Sequence, residues 1–372
     1  SSEARPQRSA AAEIFSLTCA RLCVISLMVQ GWSVDMEEIV ALSVKHNVSD
    51  LHLCSAWPAR WRRCGILEPV PCEVPAPGTL LQAWLSPAQQ STLAADGQLD
   101  FAVTLGNGAR LRANAFHQHA GLSLALRLLP TRCPTLAELD APPALPELLR
   151  ARHGIILVTG ATGSGKSTTL AALVNCLNQT QSGHIVTLED PVEFIHTSSR
   201  SLIQQREIGT HCRSYADGLR AALREDPDII LLGELRDTAT IRLALTAAET
   251  GHLVLATLHT RGAAQAVERL VDVFPAEEKN LVRTQLAGSL NAVLAQTLVP
   301  ATDGGRVALY ELLVNTTAVA SLIREGKTHQ LPGVLQTGQQ AGMQSFAWSL
   351  AQRRQQGRVA DGADDGGRLS AG

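Results

Sequence analysis

Eight residues, Gly160-Ala161-Thr162-Gly163-Ser164-Gly165-Lys166-Ser167, constrain this chain more tightly than anything else in it. They follow the apolar run 155–158 and precede Leu170, Leu173, Val174 and Leu177 at helical spacing. In such a turn, small residues let successive backbone N–H groups point into one concavity at the positive end of the next helix, where they surround a β-phosphate. Lys166 is then expected to reach the β- and γ-phosphates, and the Ser167 hydroxyl to take a Mg²⁺ position. The preceding segment 154–159 is short, apolar and β-branched, as a buried parallel strand should be. A chance Gly-rich loop would not need strand, turn and helix in that order.

Cleaving a nucleoside triphosphate also needs a group that activates water and positive charge for the transferring phosphoryl. Asp228-Ile229-Ile230-Leu231-Leu232-Gly233-Glu234 meets the first need: four apolar residues deliver an acid, Glu234, to the carboxyl end of a buried strand, where ligands bind in open α/β sheets. The bland reading is a surface glutamate after a strand. Thr187-Leu188-Glu189-Asp190-Pro191 is a second strand ending in acids, with Glu189 a candidate to hold Mg²⁺ through water or assist the base, and Asp190 a brace for the turn. Glu-Asp-Pro is also a common turn. His259 ends a third strand, 252–258, where a histidine is placed to contact a γ-phosphate or to serve structure alone.

Around this centre the pattern divides. Residues 35–130 read as a smaller α+β domain, with Asp35 and Glu38 opening a short helix, strand-like segments from 48, a proline-rich loop at 69–78, a helix near 87–95 and an antiparallel meander over 99–128. Arg110 and Arg112 are two apart on one strand and so share a face, with Arg127 on the next strand; on spacing alone, this reads as an ordinary solvated face. Prolines punctuate 131–147, a linker, and from 148 to 356 strands and helices alternate, which implies an α/β domain with a mostly parallel sheet. Helices are expected at 262–272 and 275–296, and a disordered Gly/Asp-rich tail at 357–372.

Composition narrows the function. With 372 residues and 45% apolar content the chain can bury a large core, and a net charge of -2 gives no field that would draw the whole molecule to nucleic acid or an anionic membrane. No basic strip with interleaved aromatics suggests a nucleic-acid partner. The eight cysteines lack metal-site or disulfide spacing and read as reduced cytosolic thiols. The apolar stretch 14–29 is short for a membrane span and is interrupted by Arg21; residues 1–34 read as an unstructured or non-native extension.

Taken in order, these motifs resemble the secretion ATPase superfamily of type II secretion and type IV pili: the Gly-x4-Gly-Lys-Ser-Thr-Thr loop, Thr187-Leu188-Glu189-Asp190-Pro191, the strand ending in Glu234, and the stretch 248–260 ending in His259-Thr260. Within it the chain is most similar to the PilT group, the pilus retraction (twitching motility) ATPases, through 271–279, Leu322-Ile323-Arg324-Glu325, Gln336-Thr337-Gly338 and Ser49-Asp50-Leu51-His52-Leu53. The resemblance implies a RecA-like P-loop ATPase domain joined to a PAS-like N-terminal domain. It also implies a cytoplasmic homo-hexamer at the inner face of the inner membrane, binding ATP and Mg²⁺ and meeting an inner-membrane pilus platform protein, so that its membrane association is peripheral and through that partner only.

The resemblance carries the phosphate loop onto Gly160, Ala161, Thr162, Gly163, Ser164, Gly165, Lys166, Ser167 and Thr168, the catalytic glutamate onto Glu234, the second acid onto Glu189, and the histidine onto His259. It lifts Arg110, Arg112 and Arg127 to phosphate-contacting arginines. Two departures stand out. Ala161 replaces a proline frequent in the group, and Ala318-Val319-Ala320-Ser321 departs from the usual Ala-Ile-Arg-Asn of the retraction element. A pilus-assembly or type II secretion ATPase, and a nucleotide-gated scaffold that does not hydrolyse, are the alternative readings.

Overall fold

The computed structural model describes residues 35–63 and 66–360. The proposed extension 1–34, with the apolar stretch 14–29, lies outside the described residues. The described chain divides into two compact units, meeting at Thr131 and Arg132.

The N-terminal unit runs α1 (Met36–Lys45), β1 (Val48–Cys54), β2 (Arg60–Arg63), β3 (Ile66–Pro69), α2 (Pro77–Trp84), α3 (Pro87–Asp96), β4 (Gln98–Thr104), β5 (Arg110–Gln118) and β6 (Gly121–Leu128). Its strands form a six-stranded antiparallel sheet in the order β3-β2-β1-β6-β5-β4. Asp35 caps α1 by accepting the Glu38 N–H at 2.9 Å. Ser86 and Gln89 form a reciprocal capping box on α3. Alternation along the strands sorts the two faces: Leu51, Leu53, Leu111, Ala113, Ala115, Leu124 and Leu126 are buried in one core with Ile39 and Val40 of α1. Part of the loop expected at 69–78 is instead the start of α2, with Pro77 in the first turn, where a missing N–H costs nothing.

The second unit runs α4 (Leu145–Leu148), β7 (Gly154–Thr159), α5 (Lys166–Thr180), β8 (His184–Glu189), β9 (Leu202–Glu207), α6 (Tyr215–Ala222), β10 (Ile229–Leu232), α7 (Thr238–Glu249), β11 (Leu253–Leu258), α8 (Ala263–Asp272), α9 (Lys279–Ser289), β12 (Leu290–Pro300), β13 (Arg306–Val314), α10 (Thr317–Arg324), α11 (Leu331–Thr337) and α12 (Phe346–Gln355). Seven strands form one sheet in the order β13-β12-β7-β11-β10-β8-β9, parallel throughout except for the β12–β13 pair. The β7 residues alternate between two helical layers. Ile155 and Leu157 pack with Ile241 and Ala244 of α7 and Val267 of α8. Ile156 and Val158 pack with Leu170, Leu173, Val174 and Leu177 of α5. Burial on both faces is why this strand reads as one continuous apolar run.

Three expectations change. The helix expected over 275–296 ends at Ser289, and the rest is β12, lying between β7 and β13 in the sheet. The segment after Arg132 is no slack linker: Leu145 and Leu149 are buried, Thr135 and Glu138 bond reciprocally, and the Arg353 guanidinium donates to the Asp140 carbonyl at 2.7 Å while Arg358 pairs with the Asp140 carboxylate. The tail expected from 357 does not begin there, since Thr302 N–H bonds the Arg358 carbonyl at 3.0 Å and Val359 is buried. Among the described residues no helix is long and apolar enough to cross a membrane.

Candidate active site

The phosphate-loop residues, Glu189, Glu234 and His259 follow the carboxyl ends of β7, β8, β10 and β11, which are adjacent or one apart in the sheet, so the fold brings them to one edge. Gly165 caps α5 at φ 89°, a left-handed conformation that favours glycine, and offers no side-chain oxygen to the first-turn N–H groups. A Cβ at Gly160 would stand on Ser164 Oγ and the Gln296 carbonyl. Lys166 is buried, and its Nζ donates to the carbonyls of Gly160 at 2.7 Å and Ala161 at 2.9 Å, leaving one of three N–H donors. Burial lowers its pKa from the usual lysine value, opposed by the Glu234 charge. Ser164 Oγ is buried with no hydrogen-bond partner.

An uncapped helix start, a lysine held in the loop and an orphaned hydroxyl fit the phosphates of a nucleotide. For Mg²⁺, the fitting donors are the hydroxyl of Ser167, exposed at the head of α5, and the Glu189 carboxylate, whose Oε2 also accepts from Thr187 Oγ1 at 2.7 Å and Gln205 Nε2 at 3.2 Å.

Glu234 is reached through a tight turn. Gly233 N–H donates to the Leu188 carbonyl at 2.8 Å, the Gly233 carbonyl accepts from Thr257 Oγ1, and Leu235 N–H donates to the Thr257 carbonyl at 3.0 Å. These bonds tie the turn to β8 on one side and β11 on the other. The Glu234 side chain is 16% exposed, and its Oε1 lies 2.6 Å from Arg236 Nε and 3.0 Å from His259 Nε2. His259 is held in turn through its neighbour, because Thr260 N–H donates to Thr159 Oγ1, the last residue of β7, at 2.9 Å. Desolvation raises the Tyr215 hydroxyl above its usual range, reinforced by the negative charges of Asp190, Glu234 and Glu189, which marks a cluster of acids around that ring.

Several of these residues escaped the sequence. Gln296 of β12 is buried, donates from Nε2 to the Ser164 carbonyl at 2.7 Å, and accepts at Oε1 from Thr169 Oγ1 at 2.5 Å, thereby holding both the loop and the first turns of α5. A lone glutamine inside an apolar run is the one signal that could have found it. Glu311 of β13 accepts the Ala263 N–H at the start of α8 at 2.9 Å, and burial raises its carboxyl above the usual range against the pull of that bond. Arg236 and Tyr215 carry no sequence signal beyond position.

Arg110, Arg112 and Arg127 belong to the N-terminal unit. Arg112 and Arg127 stand directly opposite each other on β5 and β6. Arg127 Nε donates to Asp50 Oδ1 at 3.0 Å, and Arg110 Nε to Thr104 Oγ1 at 3.4 Å.

Residues 86–360 match the family described as Type II/IV secretion system protein. The chain is 68% identical to the Uncharacterized protein YggR of Escherichia coli K12, over 87% of this chain and 100% of that one. It is 44% identical to the type IV pilus retractation ATPase PilT of Pseudomonas aeruginosa, over 85% of this chain and 93% of that one. Among solved structures, that of the pilus retraction motor PilT with bound ADP aligns at a TM-score of 0.80 and 39% identity, over 88% of this chain and 95% of that one. On sequence and fold together, the chain belongs to the type II/IV secretion system protein family.

Proposed function

We propose that this chain is an ATP hydrolase that powers retraction of a type IV pilus. The observation that carries this reading is the placement of Glu234, held by two strand ends at the sheet edge that also bears the phosphate loop, close enough for its charge to act on Lys166. The P-loop binds the phosphates through backbone N–H groups and Lys166. Ser167 and Glu189 would hold Mg²⁺, which would supply positive charge against the phosphates. Glu234 accepts the proton of the attacking water, and His259, a neighbour of that carboxylate, contacts the γ-phosphate side. Arg110, Arg112 and Arg127 supply further positive charge when the motor closes on its nucleotide.

The retraction assignment draws on the likeness to the two PilT proteins. The working assembly is a homo-hexamer at the cytoplasmic face of the inner membrane, pushing on a platform protein of the pilus machine. Head-to-tail closure lets one subunit complete the next. Purified protein should release phosphate from ATP, and absence of release would leave a nucleotide-gated scaffold. Deleting the gene should leave surface pili in place or in excess while twitching stops; loss of the pili themselves would point to assembly instead.

A further inference from the structure

Gly233 sits in the turn that leads from β10 to Glu234, and space rather than backbone conformation accounts for it. Its φ lies outside the left-handed region, yet a β-carbon there would stand 2.8 Å from the Tyr215 hydroxyl and 3.2 Å from the Leu188 carbonyl. The missing side chain lets a phenol oxygen approach the backbone directly beside Glu234. Tyr215 is fixed from its other end. It opens α6, whose first turn Ser214 caps by accepting the Asp217 N–H at 3.1 Å. The ring packs against the core that holds Leu188, Leu219 and Leu232, so the hydroxyl is carried to one place.

Three acids surround that place. Glu189 ends β8 with Asp190 just beyond it, and Glu234 follows β10, the neighbouring strand. Burial raises the Tyr215 hydroxyl above the usual phenol range, and the charges of Asp190, Glu234 and Glu189 raise it further against the pull of Arg236. It therefore keeps its proton, and it can both donate and accept where ionised carboxylates only accept. No protein group among the described residues bonds it, although a tyrosine hydroxyl this far buried ordinarily has a partner. Glu234 offers the complementary half: Arg236 and His259 both meet its Oε1, and these two contacts leave Oε2 to a water.

We propose that Tyr215 is a catalytic residue of ATP hydrolysis, its oxygen accepting one O–H of the attacking water while Glu234 accepts the other, and its own proton turned to Asp190. The inference rests on the preceding reading of Glu234 as the base. As the water oxygen bonds the γ-phosphorus and the bond to ADP breaks, the water's proton passes to Glu234. The Tyr215 proton stays in place. The phenol aims the water and takes up no charge.

Tyr215→Phe in the full-length protein removes the oxygen and keeps the ring. Steady-state phosphate release should show kcat lowered about 10–100-fold, as for a misdirected nucleophile, with KM and the urea midpoint near those of the parent. In Glu234→Gln the water has already lost its base, so adding Tyr215→Phe should lower single-turnover hydrolysis by about threefold at most. A kcat equal to the parent's in Tyr215→Phe overturns the proposal. So does a fall that comes with a raised KM and a lowered urea midpoint, which makes the hydroxyl structural. A fall of the same size in the Glu234→Gln background overturns it too, because the two groups would then act apart. The reading of Glu234 as base stands or falls separately, on Glu234→Gln alone.

Discussion

Gln296 donates to the Ser164 carbonyl at 2.7 Å, so the phosphate loop is gripped from a strand more than a hundred residues later in the chain. The same amide takes the Thr169 hydroxyl, which leaves no polar atom of the glutamine idle. Gln296→Met keeps the volume and deletes both bonds. It should cost about 1–3 kcal/mol, since the Ser164 carbonyl loses the Gln296 donor and the Thr169 hydroxyl keeps only its long 3.5 Å contact with the Tyr310 hydroxyl. Denaturant midpoints measure the cost, and a titration with a fluorescent nucleotide should show weakened binding; unchanged values in both would deny Gln296 its hold on the loop.

Glu234→Gln preserves shape and removes the proton acceptor. Turnover should fall by about 10²–10⁴-fold while nucleotide affinity stays near that of the parent. Phosphate release and analogue titration, run side by side, separate the two effects. Near-normal turnover would remove Glu234 from the chemistry.

How much of this was legible beforehand depends on what kind of neighbour each residue needs. The P-loop, Glu234 and His259 are local: a strand, a turn and a residue at its end lie within a dozen positions. Gln296 is different, because its partner is set by the pairing of Ala295 with Thr159 across β12 and β7. The strand itself was misread as helix, since Leu286, Leu290, Val293 and Leu294 also satisfy helical spacing and alanine favours helices. Its burial between β7 and β13 overrode that propensity. The arginine face was half legible: alternation joined Arg110 to Arg112, but only the register sets Arg127 directly opposite Arg112.

Lys166→Ala removes the ammonium that spans the loop. Nucleotide affinity should drop by about 10–100-fold, as expected for lost hydrogen bonds to a charged group. Equilibrium titration reads this directly, and an affinity equal to the parent's would count against the cradle.

Glu311 gives a pH dependence of definite sign. Burial raises its folded-state pKa above the ordinary 4.5, so the folded chain keeps this proton to higher pH than the unfolded chain does. Stability therefore declines as pH rises from that ordinary value through the folded pKa, and is lowest from this group above it. In Glu311→Gln the decline should shrink. Urea midpoints taken at about pH 5 and about pH 8 measure it, and a difference as large in the variant as in the parent would place the dependence elsewhere.

Each unit keeps hold of its own chain almost to the boundary at Thr131 and Arg132. Leu129 N–H is still bonded to the Arg110 carbonyl at 2.9 Å, and Arg132 is already paired with Glu138 at 2.8 Å, with the backbone at Asp140 pinned by Arg353. Pro130 stiffens one of the few residues left in between. Residues 132–140 thus belong to the framework of the second unit, and trimming the helix that bears Arg353 would unfasten their far end from it.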